Sequence, residues 1–175
     1  MQTSTETLLS LLDRQGPSLH ALLTRLTLRE DVAEDLMQDL FIKLSGSKRL
    51  DQVDNLAAYA RTCAMNLAFD WRRREKRLAT CSDDLIDAVA DGKSVLSHLV
   101  ENEQFKAVLD ATENLSKLQR QVFVLRYIEQ RSFEQIARET DKTPHHVRAL
   151  ASRSLARVRE ICSKVRVKPH GGGQS

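Results

Sequence analysis

Apolar residues recur at helical spacing along most of the chain, and no stretch shows the apolar/polar alternation of a half-buried strand. Leucines between residues 8 and 26 predict helical material that is broken around Gly16 and Pro17. Residues 31–44 show the clearest amphipathic pattern, and a longer helix begins near Leu56. The pattern therefore predicts an all-α protein.

Each of these two helices has one apolar stripe that we expect to be buried. In the first helix the stripe consists of Ala33, Leu36, Met37, Leu40 and Leu44. In the longer helix it consists of Leu56, Tyr59, Ala60, Cys63, Ala64, Leu67 and Trp71. This spacing places Trp71 in the core, whereas Phe69 lies on another face.

Two short helices joined by a tight turn are predicted near the C-terminus. Ser132 can cap the first of them, and Gln135 completes a capping box. Residues 140–142 cannot continue its apolar face, so the helix ends there. Thr143 can cap the second helix, with Pro144 at the first helical position, where its missing N–H costs little. This arrangement is typical of a helix-turn-helix.

The second of these helices has a small apolar stripe and a basic opposite face. The inward stripe is Val147, Ala151, Ser154 and Val158, and the outward face carries His145, Arg148, Ala149, Ser152, Ala156 and Arg159, with Arg153 at its margin. Residues 142–168 hold eight lysines and arginines but one acid, Glu160. This charge bias favours entry into a DNA major groove over an ordinary solvated surface helix.

An acidic, weakly periodic segment divides the chain. We expect a first helical domain at residues 1–80, a linker at 81–93, a helix-turn-helix domain at 94–167 and a disordered tail at 168–175. Within the second domain, Ser116 and Gln119 form another capping box.

Composition excludes several classes of protein. The net charge is only +3, so the basicity matters through its distribution. No apolar run approaches the ~20 residues of a membrane span, and the first residues lack the basic stretch that opens a secretion signal. The three cysteines are far apart and form no metal-binding pair. We expect a cytoplasmic protein without a metal, cofactor or membrane insertion. The sequence shows no pairing of a nucleophile with a base, so we do not expect an enzyme.

Two surfaces of the first domain are candidates for binding. Residues 66–77 combine cations, two aromatic side chains and an amide, a mixture that suits single-stranded nucleic acid. The helix around Asp35 has an acidic, amide-rich exposed face, which repels DNA. The residues alone leave open whether this face binds a protein or is only solvated.

Three stretches together resemble the extracytoplasmic-function group of bacterial RNA polymerase sigma factors. Residues 31–44, DVAEDLMQDLFIKL, resemble the helix that docks on the polymerase clamp. Residues 55–77 resemble the helix that recognises and melts the minus-ten element, and residues 115–159 resemble the domain that binds the minus-thirty-five element. The sequence of residues 66–74 is similar to that of the iron-uptake subgroup, which is controlled by cell-surface signalling.

The resemblance implies a transcription initiation factor whose partners are core RNA polymerase, promoter DNA and an anti-sigma factor. It implies polymerase binding by Asp35, Gln38, Asp39 and Phe41. It implies contact with the opened minus-ten strand by Asn66, Phe69, Asp70, Arg72, Arg73 and Arg74. It implies minus-thirty-five binding by Arg148, Ala149, Ser152 and Arg153 at base edges, with Lys142, Thr143 and His145 near phosphate.

Departures from the family pattern leave the promoter sequence open. Lys142 replaces a small apolar residue, His145 and His146 replace a Gly-Thr pair, and Ala149 and Leu150 stand where a Ser-Arg pair is frequent. Two rival functions are a dimeric helix-turn-helix regulator that acts without polymerase and a helical adaptor that binds only proteins. The regulator leaves residues 31–44 and the arginine cluster after Trp71 unexplained, and the adaptor predicts no salt-sensitive DNA binding.

Overall fold

The computed structural model describes residues 2–47, 50–81 and 96–166. Its helices are α1 (Gln2–Thr27), α2 (Glu30–Ser45), α3 (Leu56–Cys81), α4 (Leu96–Thr112), α5 (Lys117–Phe123), α6 (Phe133–Thr140) and α7 (Pro144–Arg166). A 3-10 turn at Leu50–Gln52 precedes α3, and a π-helical turn at Val124–Ile128 extends α5. No strand occurs within these ranges, and the predicted all-α fold with a C-terminal helix-turn-helix is confirmed.

The chain divides into two compact units, Met1–Ser94 and Val95–Ser175. In the first unit α1, α2 and α3 pack against one another. In the second unit α7 packs against α4, α5 and α6. The predicted linker at 81–93 lies outside the described residues apart from Cys81, the last residue of α3, and the predicted tail at 168–175 lies wholly outside them.

Helix α1 runs without interruption through Gly16 and Pro17, so the predicted break is wrong. A proline inside a helix removes a backbone hydrogen bond and costs about 3 kcal/mol. Each buried leucine contributes roughly 1.5–3 kcal/mol, and leucines are buried on both sides of Pro17: Leu8, Leu11, Leu19, Leu22, Leu23 and Leu26. Burial along the whole helix therefore offsets the local cost of the proline.

A tight turn joins α1 to α2. Leu28 adopts a left-handed conformation with φ of 60°, directly after the last residue of α1. The buried hydroxyl of Thr27 lies 2.8 Å from the carbonyl oxygen of Leu23 and accepts a 3.3 Å hydrogen bond from the Arg29 N–H. On α2 the predicted stripe is buried at Ala33, Leu36, Leu40 and Leu44, whereas Met37 is half-buried.

The buried face of α3 is rotated from the predicted stripe. Leu67 and Trp71 are only half-buried, and the prediction of Trp71 in the core is wrong. The buried residues of α3 are Ala58, Ala60, Arg61, Cys63, Ala64, Met65, Ala68, Phe69 and Arg72. Because α3 packs against both α1 and α2, its buried surface is wider than the single stripe of a helix with one neighbour.

The second unit has a small apolar core in which Ala111, Leu115, Phe123 and Val158 meet. The α4–α5 turn is closed by Arg120, whose guanidinium lies 3.2–3.4 Å from the carbonyl oxygens of Thr112, Glu113 and Leu115. The predicted capping box at Ser116 is present: its hydroxyl accepts from the Gln119 N–H, and the Gln119 side chain accepts from the Ser116 N–H.

Candidate nucleic-acid and protein interfaces

The helix-turn-helix is built from local hydrogen bonds that the sequence predicts. The Ser132 hydroxyl accepts a 3.1 Å hydrogen bond from the Gln135 N–H, and the Gln135 side chain accepts one of 2.9 Å from the Ser132 N–H. Helix α6 ends at Thr140, and the next residue, Asp141, has a left-handed backbone (φ 53°, ψ 48°) that turns the chain. The Thr143 hydroxyl then caps α7 by accepting a 3.2 Å hydrogen bond from the His146 N–H.

Tertiary contacts fix the rotation of α7 about its axis. The predicted inward residues Val147, Ala151, Ser154 and Val158 are all buried. The Ser154 hydroxyl lies 2.7 Å from the Leu150 carbonyl oxygen and 3.3 Å from that of Gln119 in α5. The Tyr127 hydroxyl donates to the Ala151 carbonyl at 3.4 Å. One side of α7 is therefore held against α5 and the π-helical turn, whereas most residues of the opposite side are exposed.

The opposite side of α7 presents the predicted minus-thirty-five residues together. We call this surface the recognition face, and it consists of Lys142, Thr143, His145, Arg148, Ala149, Ser152 and Arg153. All of these are exposed except Ala149, which is half-buried. These side chains therefore share one surface. Cations flank small residues there, and the small residues permit close approach of a partner.

A cation–π cluster lies beside the recognition face. The guanidinium carbon of Arg126 lies 4.4 Å from the centroid of the Phe133 ring, and that of Arg148 lies 5.0 Å from the same centroid. The pKa of the adjacent Glu134 carboxyl is lowered mainly by a hydrogen bond from its own N–H, then by the Ser132 hydroxyl, with smaller contributions from Arg148 and Arg126. The sequence does not reveal this cluster, because Arg126 and Arg148 are far apart along the chain.

The C-terminal half of α3 carries an exposed set of cations. Arg73, Arg74, Lys76 and Arg77 are exposed, and Arg73 forms an ion pair with the exposed Asp70. Asn66, which we expected to contact DNA, is half-buried. Asp70, Arg73 and Arg74 are thus the predicted minus-ten residues that are exposed.

Two residues predicted to face the minus-ten strand are instead part of the core. Phe69 is 1% exposed and Arg72 is 6% exposed. The Arg72 guanidinium donates a 3.2 Å hydrogen bond to the carbonyl oxygen of Leu26, near the end of α1. The outward orientation inferred for both side chains is therefore wrong, because α3 is buried against α1 and α2 on this side.

The exposed side of α2 is acidic at its centre and apolar towards its C-terminal end. Glu34, Asp35, Gln38 and Asp39 are exposed there. Phe41 is 39% exposed and Ile42 is 66% exposed. Ile42 is an additional exposed residue that the family resemblance does not single out, although its position off the buried stripe predicts its exposure. We call Asp35, Gln38, Asp39, Phe41 and Ile42 the docking face.

Among the described residues, no group of three or more histidine, cysteine or acidic side chains is arranged to hold a metal ion. No helix within those residues is long and apolar enough to cross a membrane.

Comparisons with known proteins identify both units. Residues 11–78 match the family described as Sigma-70 region 2, and residues 105–158 match Sigma-70, region 4. The chain is 31% identical over 135 residues to the RNA polymerase sigma-E factor of Streptomyces avermitilis, covering 73% of this chain and 69% of that protein. It is also similar to the sigma factor RpoE of Bartonella quintana, solved with the anti-sigma factor NepR, at 25% identity and a TM-score of 0.50, covering 97% and 100% of the two chains.

Proposed function

This chain belongs to the sigma-70 family of bacterial RNA polymerase sigma factors, in its extracytoplasmic-function type, and from that membership we propose a role for each exposed surface. As a sigma factor it binds core RNA polymerase and directs it to specific promoters. The observation that carries the assignment of roles is the helix-turn-helix, whose α7 presents a basic recognition face above a fully packed inner side.

The recognition face reads the minus-thirty-five element in the major groove. Arg148, Ala149, Ser152 and Arg153 share one side of α7 at helical spacing and meet base edges. Lys142, Thr143 and His145 stand at the start of α7, where backbone N–H groups and the helix dipole also favour phosphate. Cations thus supply affinity through counterion release, and the side chains on the helix face supply specificity.

The exposed end of α3 contacts the opened minus-ten strand. Arg73 and Arg74 approach the phosphates, and Asp70 orients Arg73 through their ion pair. We also assign the half-buried Asn66 to contact with a flipped or unstacked base. Phe69 and Arg72 are buried on α3 beneath this surface, and Arg72 ties α3 to α1.

The docking face binds core polymerase. Its carboxylates at Asp35 and Asp39 complement a basic surface on the polymerase. The exposed side chains of Phe41 and Ile42 supply apolar contact area beside them. An acidic surface of this kind is repelled by DNA phosphates, so the same unit can hold a protein on α2 and DNA on α3.

The two units act as separate modules. We assign core binding and minus-ten recognition to residues 1–80, the connection to residues 81–93 and minus-thirty-five binding to residues 94–167. The chain supplies specificity, while the polymerase performs the chemistry of transcription, so the chain itself is no enzyme. Because core polymerase acts in the cytoplasm, the chain works there too.

An anti-sigma factor is a further partner of this chain. The similar Bartonella quintana sigma factor was solved in complex with one, and the likeness spans 97% of this chain.

The sequence of residues 66–74 supports membership of the iron-uptake subgroup. Transcript sequencing after overexpression tests this finer assignment, because induced iron-uptake genes would support it and their absence among induced transcripts would contradict it.

DNase footprinting with and without core polymerase tests the main function. We expect the purified full chain to protect a promoter strongly only together with core polymerase, with protection spanning both promoter elements. Equal protection of an inverted repeat by the chain alone would instead identify a free-standing regulator. Loss of all salt-sensitive DNA binding under both conditions would identify an adaptor that binds only proteins.

A further inference from the structure

The Phe133 ring contacts two guanidinium groups from different parts of the second unit. Arg126 comes from the π-helical turn, and Arg148 comes from the first half of α7. Their guanidinium carbons lie 4.4 Å and 5.0 Å from the ring centroid, within the ~6 Å range over which a cation is attracted to an aromatic face. One half-buried ring thus connects the recognition helix to the element that precedes the helix-turn-helix.

The backbone that carries the ring is held by local hydrogen bonds. Phe133 is the first residue of α6, directly after the Ser132 capping box. Arg126 is anchored as well, because its Nη1 donates a 2.9 Å hydrogen bond to the Arg131 carbonyl. The ionised Glu134 carboxylate lies near both arginines and reduces their mutual repulsion.

An exposed arginine ordinarily samples many rotamers, and ordering it on DNA costs conformational entropy. Arg148 is exposed on the recognition face, yet its guanidinium is already restrained by the Phe133 ring. A side chain that is ordered before binding loses less freedom when it meets a base, and it meets that base in fewer orientations.

We infer that Phe133 is a positioning residue for promoter recognition, which holds the Arg148 guanidinium against its ring in the orientation that reads the minus-thirty-five element. The inference rests on the proposed function, because it requires Arg148 to read a base. It adds a specificity determinant that lies on α6, outside the recognition face.

The test uses the full chain bound to core polymerase and the best minus-thirty-five sequence of the wild type, together with every single-base variant of that sequence. Arg148→Ala first identifies the base positions that Arg148 discriminates. Phe133→Leu keeps an apolar side chain but removes the aromatic face, and Phe133→Tyr keeps that face. Unfolding midpoints of all variants in urea show whether each one folds normally.

We expect Phe133→Leu to reduce discrimination about two- to fivefold, the range of a cation–π pair at an exposed site, and only at the positions that Arg148→Ala relaxes. Phe133→Tyr should retain the wild-type preference. In the Arg148→Ala background, Phe133→Leu should change the preference no further, because the side chain that it positions is gone.

Three results would overturn the inference. Phe133→Leu could leave discrimination unchanged while Arg148→Ala relaxes it, in which case the reading role of Arg148 stands and the positioning role of Phe133 fails. Phe133→Leu could reduce discrimination equally at all base positions, or reduce it by the same factor in the Arg148→Ala background as in the wild type. Either result would indicate a general structural defect. Finally, Arg148→Ala could leave base preference intact, in which case the reading role and the inference both fail.

Discussion

Arg72 of α3 donates a hydrogen bond to the carbonyl oxygen of Leu26, close to the end of α1, at 3.2 Å. The last four carbonyl groups of a helix have no partner within that helix, and a positive charge near this end is favoured by the helix dipole. Arg72 therefore joins the two longest helices of the first unit by serving as a cap. Within the arginine run of residues 72–74, its role is structural.

Replacing Arg72 by alanine should destabilise the protein by about 1.5–3 kcal/mol, the usual range for a hydrogen bond to a charged group. Arg74→Ala is the matched control, because Arg74 is exposed on the same helix and its loss should change the free energy of unfolding by less than ~0.5 kcal/mol. Urea unfolding of both variants measures the difference. Equal stability of the two would show that the Arg72–Leu26 bond contributes nothing.

Replacing both Arg73 and Arg74 by alanine should impair promoter melting more than initial binding to duplex DNA. Both side chains are exposed on α3, so the fold should be retained while contacts to the opened strand are lost. Permanganate footprints measure melting, and filter binding measures the closed complex. On a promoter already opened by mismatches across the minus-ten element, the defect should shrink. A normal permanganate pattern in the double variant would contradict the assignment.

Reversing the charge at Asp35 should weaken binding to core polymerase at least tenfold, which corresponds to about 1.4 kcal/mol or more. Asp35 is exposed on the docking face, so Asp35→Arg replaces an attraction by a repulsion without disturbing the core. Asp13→Arg reverses an exposed charge on α1 and serves as the control. Fluorescence anisotropy against purified core enzyme gives both affinities, and equal affinities would remove Asp35 from the interface.

Alanine substitutions at Arg148 and Lys142 should produce two different defects. Arg148→Ala should lose roughly 1–3 kcal/mol on the best minus-thirty-five sequence and relax preference at one or two positions. Lys142→Ala should weaken all sequences about equally and lower the salt slope by about one. Holoenzyme binding to single-base variants at several salt concentrations separates them. A uniform loss for Arg148→Ala would make Arg148 a phosphate contact and transfer base reading to Ser152 and Arg153.

Replacing Asp141 by glycine should stabilise the protein by about 0.5 kcal/mol, because glycine adopts the left-handed conformation at this helix end without the steric penalty of a side chain. Ala156→Gly is the matched control, since it places glycine at an exposed position inside α7 and should cost about 0.5–1 kcal/mol. Thermal unfolding of the two variants should shift in opposite directions. A lower melting temperature for Asp141→Gly would show that the aspartate itself stabilises the turn.

Features that depend only on neighbouring residues could be predicted from the sequence. Side chains that form hydrogen bonds with backbone groups three residues away produce the capping boxes at Ser116 and Ser132. The same kind of bond begins α7 at Thr143, directly before Pro144. The buried stripe of α7 could also be predicted, because helical periodicity determines which residues share one side of a helix. These local rules were sufficient to predict the helix-turn-helix and its recognition face.

Which of several possible helix faces forms the core depends on packing between helices. Helix α1 continues through Pro17 because leucines on both sides are buried, and that contribution outweighs the local cost of the proline. Helix α3 buries Phe69 and Arg72 because it packs against two helices at once, a condition that periodicity in one helix cannot express. The contact of Phe133 with Arg148 likewise depends on how α6 and α7 meet, since it joins residues that lie on different helices.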